Sequence, residues 1–272
     1  MGQLAVSADP SFAYPGGLLV VRLRRSLGTS YAILDGKRVP FLDGPHGPLA
    51  LVPIPVTVPA GPATLGIEIL TRRGGRQRVP MDVPIVERSY QPRSVAIPEA
   101  KRALTTQPGS VADGRRLLLL LRTVTPQLLG GAPFQPPVAA PATASFGARE
   151  TPMLGVSVDW MIDGLYGEYH RGVDYDVPAG TVALAPAAGT VLLAAPLALS
   201  GQTLVIDHGL GVVSALFHLS RLDVHEGDHV EARTPIGLTG DTGLTAAPHL
   251  HWAVYVHGSA VDPAIFERLR EL

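Results

Sequence analysis

The five residues Pro248-His249-Leu250-His251-Trp252 carry more chemical information than any other stretch of this chain. In a β-strand, residues two apart point to the same face, roughly 6–7 Å from one another. Two imidazoles at that spacing do not easily share one metal ion without distortion. They suit one ligand and one neighbour that reaches a metal-bound water or a substrate. Two further segments bear histidine, His170-Arg171-Gly172-Val173-Asp174 and Leu216-Phe217-His218-Leu219-Ser220. Taken singly, His170 and Asp174 make an ordinary surface ion pair, and His218 a hydrogen-bonded core histidine. Taken together, His170, Asp174 and His251 supply two nitrogens and an oxygen. Three protein ligands with a fourth position open is the pattern of a catalytic zinc site. His218 and His249 then remain to handle the proton and the developing oxyanion. A hydrolase needs these parts: a Lewis acid, a water of lowered pKa, and donors for the tetrahedral intermediate.

Working outward, the chain is β-rich from Ser145 to about Val261, and Asp262-Pro263 reads as the N-cap and first residue of a short helix. Ile265, Phe266 and Leu269 share one face of that helix. Residues 3 to 87 read as short strands: Leu18–Leu23, Ser30–Leu34, Arg38–Phe41, Leu49–Val52, Ala63–Ile69 and Gln77–Val83. Asp35-Gly36 is a hairpin-turn pair, and Pro55 and Pro59 imply an edge or a loop. Strands at this spacing predict a small β-sandwich. Between 89 and 144 the pattern changes to a linker. It has a helix near 111–125, whose run Leu117 to Leu121 suits a core or packing surface. A Pro/Ala-rich connector follows over 131–144. The predicted fold is thus mostly β: a sandwich-like domain at 1–88, the linker at 89–144, and a C-terminal antiparallel-sheet domain at 145–272.

Composition narrows the chemistry. The 272 residues include no cysteine, so disulfides and thiolate metal sites are excluded, and any metal must be held by His, Asp or Glu. A formal net charge of −1 argues against a nucleic-acid partner held by a basic field. No apolar run approaches the ~20 residues of a membrane span. Met1-Gly2-Gln3-Leu4 lacks the basic start and apolar core of a signal peptide. Either the protein is cytoplasmic or a leader has been trimmed from it.

The order of segments resembles the LytM-type, or lysostaphin-like, M23 family of metallopeptidases. The likeness runs from Ser145-Phe146-Gly147 through His170-x-Gly172-x-Asp174, Pro178-Ala179-Gly180-Thr181 and Ala185–Val191. It continues through Val205–Gly211, His218-Leu219-Ser220, Val224–Val230 and Ile236–Gly243 to Pro248–Trp252, covering roughly 145 to 263. The resemblance implies that His170, Asp174 and His251 bind Zn2+ and that His218 and His249 are the catalytic pair, without saying which is the base. It implies a peptidoglycan endopeptidase acting on peptide stems or cross-links. A D-Ala-linked cross-link and a glycine-containing bridge both stay open. It also implies a periplasmic or wall-associated protein whose signal peptide has been removed. No protein partner is indicated.

Two positions depart from the family pattern. A tyrosine common two before the catalytic histidine is Leu216, and a glutamate often found two after the metal histidine is Ala253. Degenerate members of the family act as activators of other enzymes, so the alternative is a non-catalytic LytM-type scaffold of a cell-wall amidase. A module that binds wall without cutting is a further alternative. Residues Gly16 to Ile69 resemble the β-rich modules that precede the catalytic domain in multidomain relatives. They could position substrate, cover the groove or stabilise the fold.

Overall fold

The computed structural model describes residues 6–24, 28–70, 75–150 and 169–272. Met1 to Leu4, which bear on the question of a leader, lie outside the described residues. Among the described residues eight strands form the N-terminal part: β1 (Val6–Asp9), β2 (Leu18–Leu23), β3 (Ser30–Leu34), β4 (Lys37–Pro40), β5 (Leu42–Gly44), β6 (Gly47–Pro53), β7 (Thr64–Leu70) and β8 (Arg76–Asp82). They make two four-stranded sheets, ordered β1-β2-β6-β5 and β4-β3-β7-β8. Asp35 and Gly36 both take positive φ, 47° and 73°, the geometry of the two-residue turn between β3 and β4. β1 and β5 escape a reading from periodicity. They have four and three residues and exist as edges, paired to β2 and β6.

The run Leu18-Leu19-Val20-Val21 has no polar face, and the structure uses both faces. Leu19 and Val21 join Ala32, Val52, Leu65 and Ile67 in the core of the sandwich. Leu18 and Val20, with Leu49 and Leu51 of β6, point the other way. They share one cluster with Phe146, Trp252, Tyr255 and Val261 of the C-terminal part. Each such side chain contributes roughly 1.5–3 kcal/mol on burial, so the two parts are joined by a core. Polar contacts reinforce the joint: Asp262 N–H donates to Gly16 O at 2.9 Å, and Arg88 pairs with Asp262 at 2.6 Å.

The connecting chain runs through β9 (Pro92–Arg93), α1 (Glu99–Arg102) and α2 (Ser110–Leu121). Helix α2 ends four residues before the predicted limit at 125. Beyond it, Thr125 O accepts from Leu210 N–H at 2.7 Å, so that stretch is drawn onto the C-terminal sheet. At 100° per residue a five-leucine run cannot face one way: Leu117 and Leu121 are buried, whereas Leu119 is 70% exposed. The Pro/Ala-rich stretch is laid along the C-terminal sheet. Phe134 and Val138 are buried, Gln135 N–H donates to Pro186 O and Leu184 N–H to Pro137 O, both at 2.8 Å.

The C-terminal part opens with β10 (Arg149–Glu150) and continues with β11 (Val173–Tyr175), β12 (Val182–Leu184), β13 (Gly189–Leu197), β14 (Gly201–Gly209) and β15 (Val212–Leu222). It ends with β16 (His229–Val230), β17 (Pro235–Thr239), β18 (Leu250–Val256), β19 (Ser259–Val261) and α3 (Ala264–Arg268). The main sheet is antiparallel in the order β11-β18-β15-β14-β13-β16. The helix begins one residue later than expected, with Pro263 at its N-cap, although Asp262 Oδ1 still accepts from Ala264 N–H at 3.1 Å; Phe266 of α3 is buried. Among the described residues no helix is long and apolar enough to cross a membrane.

Candidate metal centre

Strand register brings the site together. On adjacent strands Asp174 of β11 lies opposite His251 of β18, and Phe217 of β15 lies opposite His251 on its other side. His170 is held just before β11 by a backbone ladder: its N–H donates to Ala148 O at 2.9 Å, and its carbonyl accepts from Gly147 N–H at 2.8 Å. Gly172 lets the lead-in to β11 lie flat on β18. A Cβ there would stand 2.4 Å from Trp252 O and 2.7 Å from His251 Nε2. The glycine of the His-x-Gly-x-Asp pattern is therefore a close-approach residue.

Three electron-rich atoms converge. His170 Nε2 is 3.1 Å from Asp174 Oδ1 and 3.1 Å from His251 Nδ1, and the last two are 2.9 Å apart. His170 Nδ1 faces Ser145 O at 2.9 Å, and a carbonyl only accepts, so Nδ1 carries the proton and Nε2 is the lone pair of the neutral ring. A proton could satisfy one contact of this triangle at a time, whereas one cation satisfies all three corners. Donors 2.0–2.1 Å from a tetrahedral zinc lie about 3.3 Å from one another, close to the observed edges. The residues therefore fit a metal of that size. All three are buried. Phe217 stacks on the His251 ring at 5.2 Å with 4° between planes, which sets the ring orientation.

Electrostatics match a metal-binding state. Burial pushes the Asp174 carboxyl up, but its contacts with His170 and His251 more than offset this and hold it well below the usual carboxylate range. Burial, opposed by Asp174, lowers His251 to about 4, so its ring is neutral near pH 7, as a ligand must be.

His218 and His249 flank the triangle without joining it. Their rings are 4.8 Å apart and tilted by 53°, and His249 Nε2 is 3.7 Å from Asp174 Oδ1. The same-face spacing of His249 and His251 thus yields one corner of the triangle and one neighbour. His218 sits at an irregularity in β15 with φ +65°, a left-handed value costly for a residue with a Cβ. The irregularity turns its side chain inward, as bulges beside active sites do. Its Nδ1–H donates to Thr242 O at 2.8 Å, and His249 Nδ1–H donates to Ala247 O at 2.8 Å. Both rings are thereby fixed with Nε2 as the lone pair. The loop from Gly240 to Ala247 supplies both carbonyls. Burial first, then the neighbouring His249 and His251, lowers His218 to about 3.

The five residues singled out in the sequence therefore lie in one cluster. Sequence reasoning missed the groups that orient them: the carbonyls of Ser145 and Thr242, the ring of Phe217, and Arg93. Arg93 Nη1 donates to Asp174 Oδ2 at 2.5 Å from 81 positions upstream. Nothing near Arg93 in the sequence points to this. Other histidines lie apart from this cluster. His208 is fully buried between Ala188 O and Ser214 Oγ, at 2.7 and 2.8 Å, while His225 and His229 are exposed.

Comparison with known proteins finds similarity to peptidases. The family model described as Peptidase family M23 matches residues 168–263. An uncharacterized metalloprotease of Buchnera aphidicola is 35% identical over 94 residues, 35% of this chain and 25% of that protein. The DD-carboxypeptidase/endopeptidase Mpg of Neisseria meningitidis is 32% identical over 134 residues, 49% of this chain and 29% of its own length. The chain thus spans less than a third of these curated relatives. Among solved structures, a Pseudomonas aeruginosa protein described as a candidate peptidase M23 superposes with a TM-score of 0.66 and 27% identity, over 93% of this chain and 94% of that one.

Proposed function

Residues 168–263 belong to peptidase family M23, and from that premise we propose that the protein is a zinc-dependent endopeptidase that hydrolyses peptide stems or cross-links of bacterial peptidoglycan. The observation that carries the proposal is the triangle of His170 Nε2, Asp174 Oδ1 and His251 Nδ1, with edges of 2.9–3.1 Å. These three residues would hold the metal. When bound, zinc would supply a Lewis acid that lowers the pKa of a water and polarises the substrate carbonyl. His218 and His249 handle the protons. Each has its Nδ1–H committed to a backbone carbonyl, so each enters the reaction as a proton acceptor at Nε2. A ring that has taken a proton becomes a donor, able to bond the oxyanion or protonate the leaving amine. His218 is buried and His249 partly exposed, so the pair reaches from the triangle toward the surface.

The substrate class rests on the relatives, one of which is named a DD-carboxypeptidase/endopeptidase. Peptidoglycan lies outside the cytoplasm, so this reading puts the protein in the periplasm or at the wall. Residues 145–272 form the catalytic domain in this reading, and 1–88 a sandwich-like module fixed to it through the 89–144 segment. The test is release of free amines from purified peptidoglycan, with chelator and then with zinc added back. Release should stop with chelator, return with zinc, and be abolished in His170→Ala. No release from several wall types by protein holding one zinc per chain would favour a non-catalytic scaffold instead.

A further inference from the structure

We propose that Arg93 is a positioning residue of the metal centre: its guanidinium holds the outer oxygen of Asp174, so that the carboxylate offers a metal one oxygen and leaves the fourth position open. The proposal rests on the metallopeptidase reading above. It concerns a residue outside the segment that matches the family, supplied by the chain between the two parts of the molecule.

The two oxygens of Asp174 face different neighbours. Oδ1 meets His170 and His251, whereas Oδ2 receives Arg93 Nη1 at 2.5 Å. The Asp174 side chain is only 3% exposed, so the carboxylate is shielded from water, while that of Arg93 is 29% exposed. A carboxylate can bind a metal through one oxygen or through both. Rotation toward two-oxygen binding would pull Oδ2 away from the guanidinium and give up a charge-assisted hydrogen bond made at a buried carboxylate oxygen. Charge-assisted contacts to a ligand's far side also raise metal affinity by fixing its orientation.

The placement of Arg93 is built, not incidental. β9 pairs in parallel with β10, with Pro92 opposite Arg149 and Arg93 opposite Glu150. Arg149 is bridged in turn to Tyr169, and Ala148 O accepts the N–H of His170. One ladder therefore carries both the guanidinium and the first member of the triangle. Further along, Lys101 of α1 donates to Asp241 O at 2.6 Å, tying the same connecting chain to the loop that orients His218 and His249. The first part of the molecule thus completes the site through its exit segment.

The experiment uses the full chain, stripped of metal and titrated with zinc against a chelating indicator, and then with cobalt(II), whose visible absorption weakens as coordination rises above four. Wild type should bind zinc tightly and give a strong four-coordinate cobalt spectrum. Arg93→Ala should bind zinc about 10–100-fold more weakly and give a weaker cobalt band. Arg93→Met keeps the aliphatic stem, guards against a packing defect and should repeat both effects, while Arg93→Lys should restore most of the affinity. Arg93→Met with wild-type zinc affinity and a wild-type cobalt spectrum would overturn the proposal while leaving the metallopeptidase reading standing. A wild-type chain that takes up neither ion would overturn both.

Discussion

Gly172→Ala adds one methyl group at the point where β11 approaches β18. The new Cβ would lie 2.4 Å from Trp252 O and 2.7 Å from His251 Nε2, against 3.4 Å for ordinary contact. About 1 Å of clearance must therefore be found. Trp252 O cannot give it cheaply, because Val173 is paired with Trp252 in the sheet and Trp252 is fully buried. The imidazole of His251 has more freedom, and it is a corner of the triangle. Overpacking of this kind costs roughly 1–3 kcal/mol. A displacement near 1 Å of a reacting group costs on the order of 100-fold in rate. Backbone strain does not confuse the result, since Gly172 is absent from the positive-φ glycines. Gly36→Ala is the control: its φ is 73° with open space around it, so it should lose about 1 kcal/mol and keep its zinc. The assays are urea unfolding, zinc titration and amine release from peptidoglycan. A Gly172→Ala protein with wild-type zinc affinity and rate would refute the assignment of this glycine to the approach of ligand and strand.

Other outcomes follow from the same geometry. Burial lowers His208 from 6.5 to about 4, so the folded state holds it neutral while the unfolded chain takes a proton below pH 6.5. Its contribution is complete above pH 6.5, is lost as pH falls from 6.5 to 4, and is then constant. At 1.36 kcal/mol per unit the loss is about 3 kcal/mol. Unfolding of the metal-free protein from pH 7.5 to 4 should show a slope to which His208 adds this amount beside His218 and His251, and His208→Asn should reduce it; equal slopes would refute the argument. His218→Asn should keep zinc uptake, because His218 is outside the triangle, and lose about 10²–10⁴-fold in rate. Loss of zinc in that variant would contradict the division of roles. Leu51→Ala removes a buried side chain from the core that joins the two parts, and should cost about 2–5 kcal/mol. If chemical denaturation then showed the C-terminal part unchanged in stability, the joint would be weaker than the packing implies.

Much of this molecule is legible in the sequence for reasons of periodicity and spacing. A two-residue repeat fixes which side chains share a strand face, so His249 and His251 had to lie together, and Asp35-Gly36 had to turn. The short edges β1 and β5 were not legible, because they are made by their partners' hydrogen bonds and, unlike the equally short β4, have no Asp-Gly turn beside them to announce a hairpin. Nor could Leu18-Leu19-Val20-Val21 say that one face would meet a sandwich and the other a second sheet; an apolar run is equally apolar toward both. The groups that aim the five site residues are hidden for a related reason. A carbonyl at Ser145 or Thr242 leaves no trace in residue type. Arg93 reaches Asp174 across 81 positions because backbone pairing places β9, β10 and the strand lead-in at His170 side by side. Local chemistry selected the ligating side chains, and long-range backbone pairing selected which oxygen, which nitrogen and which tautomer each presents.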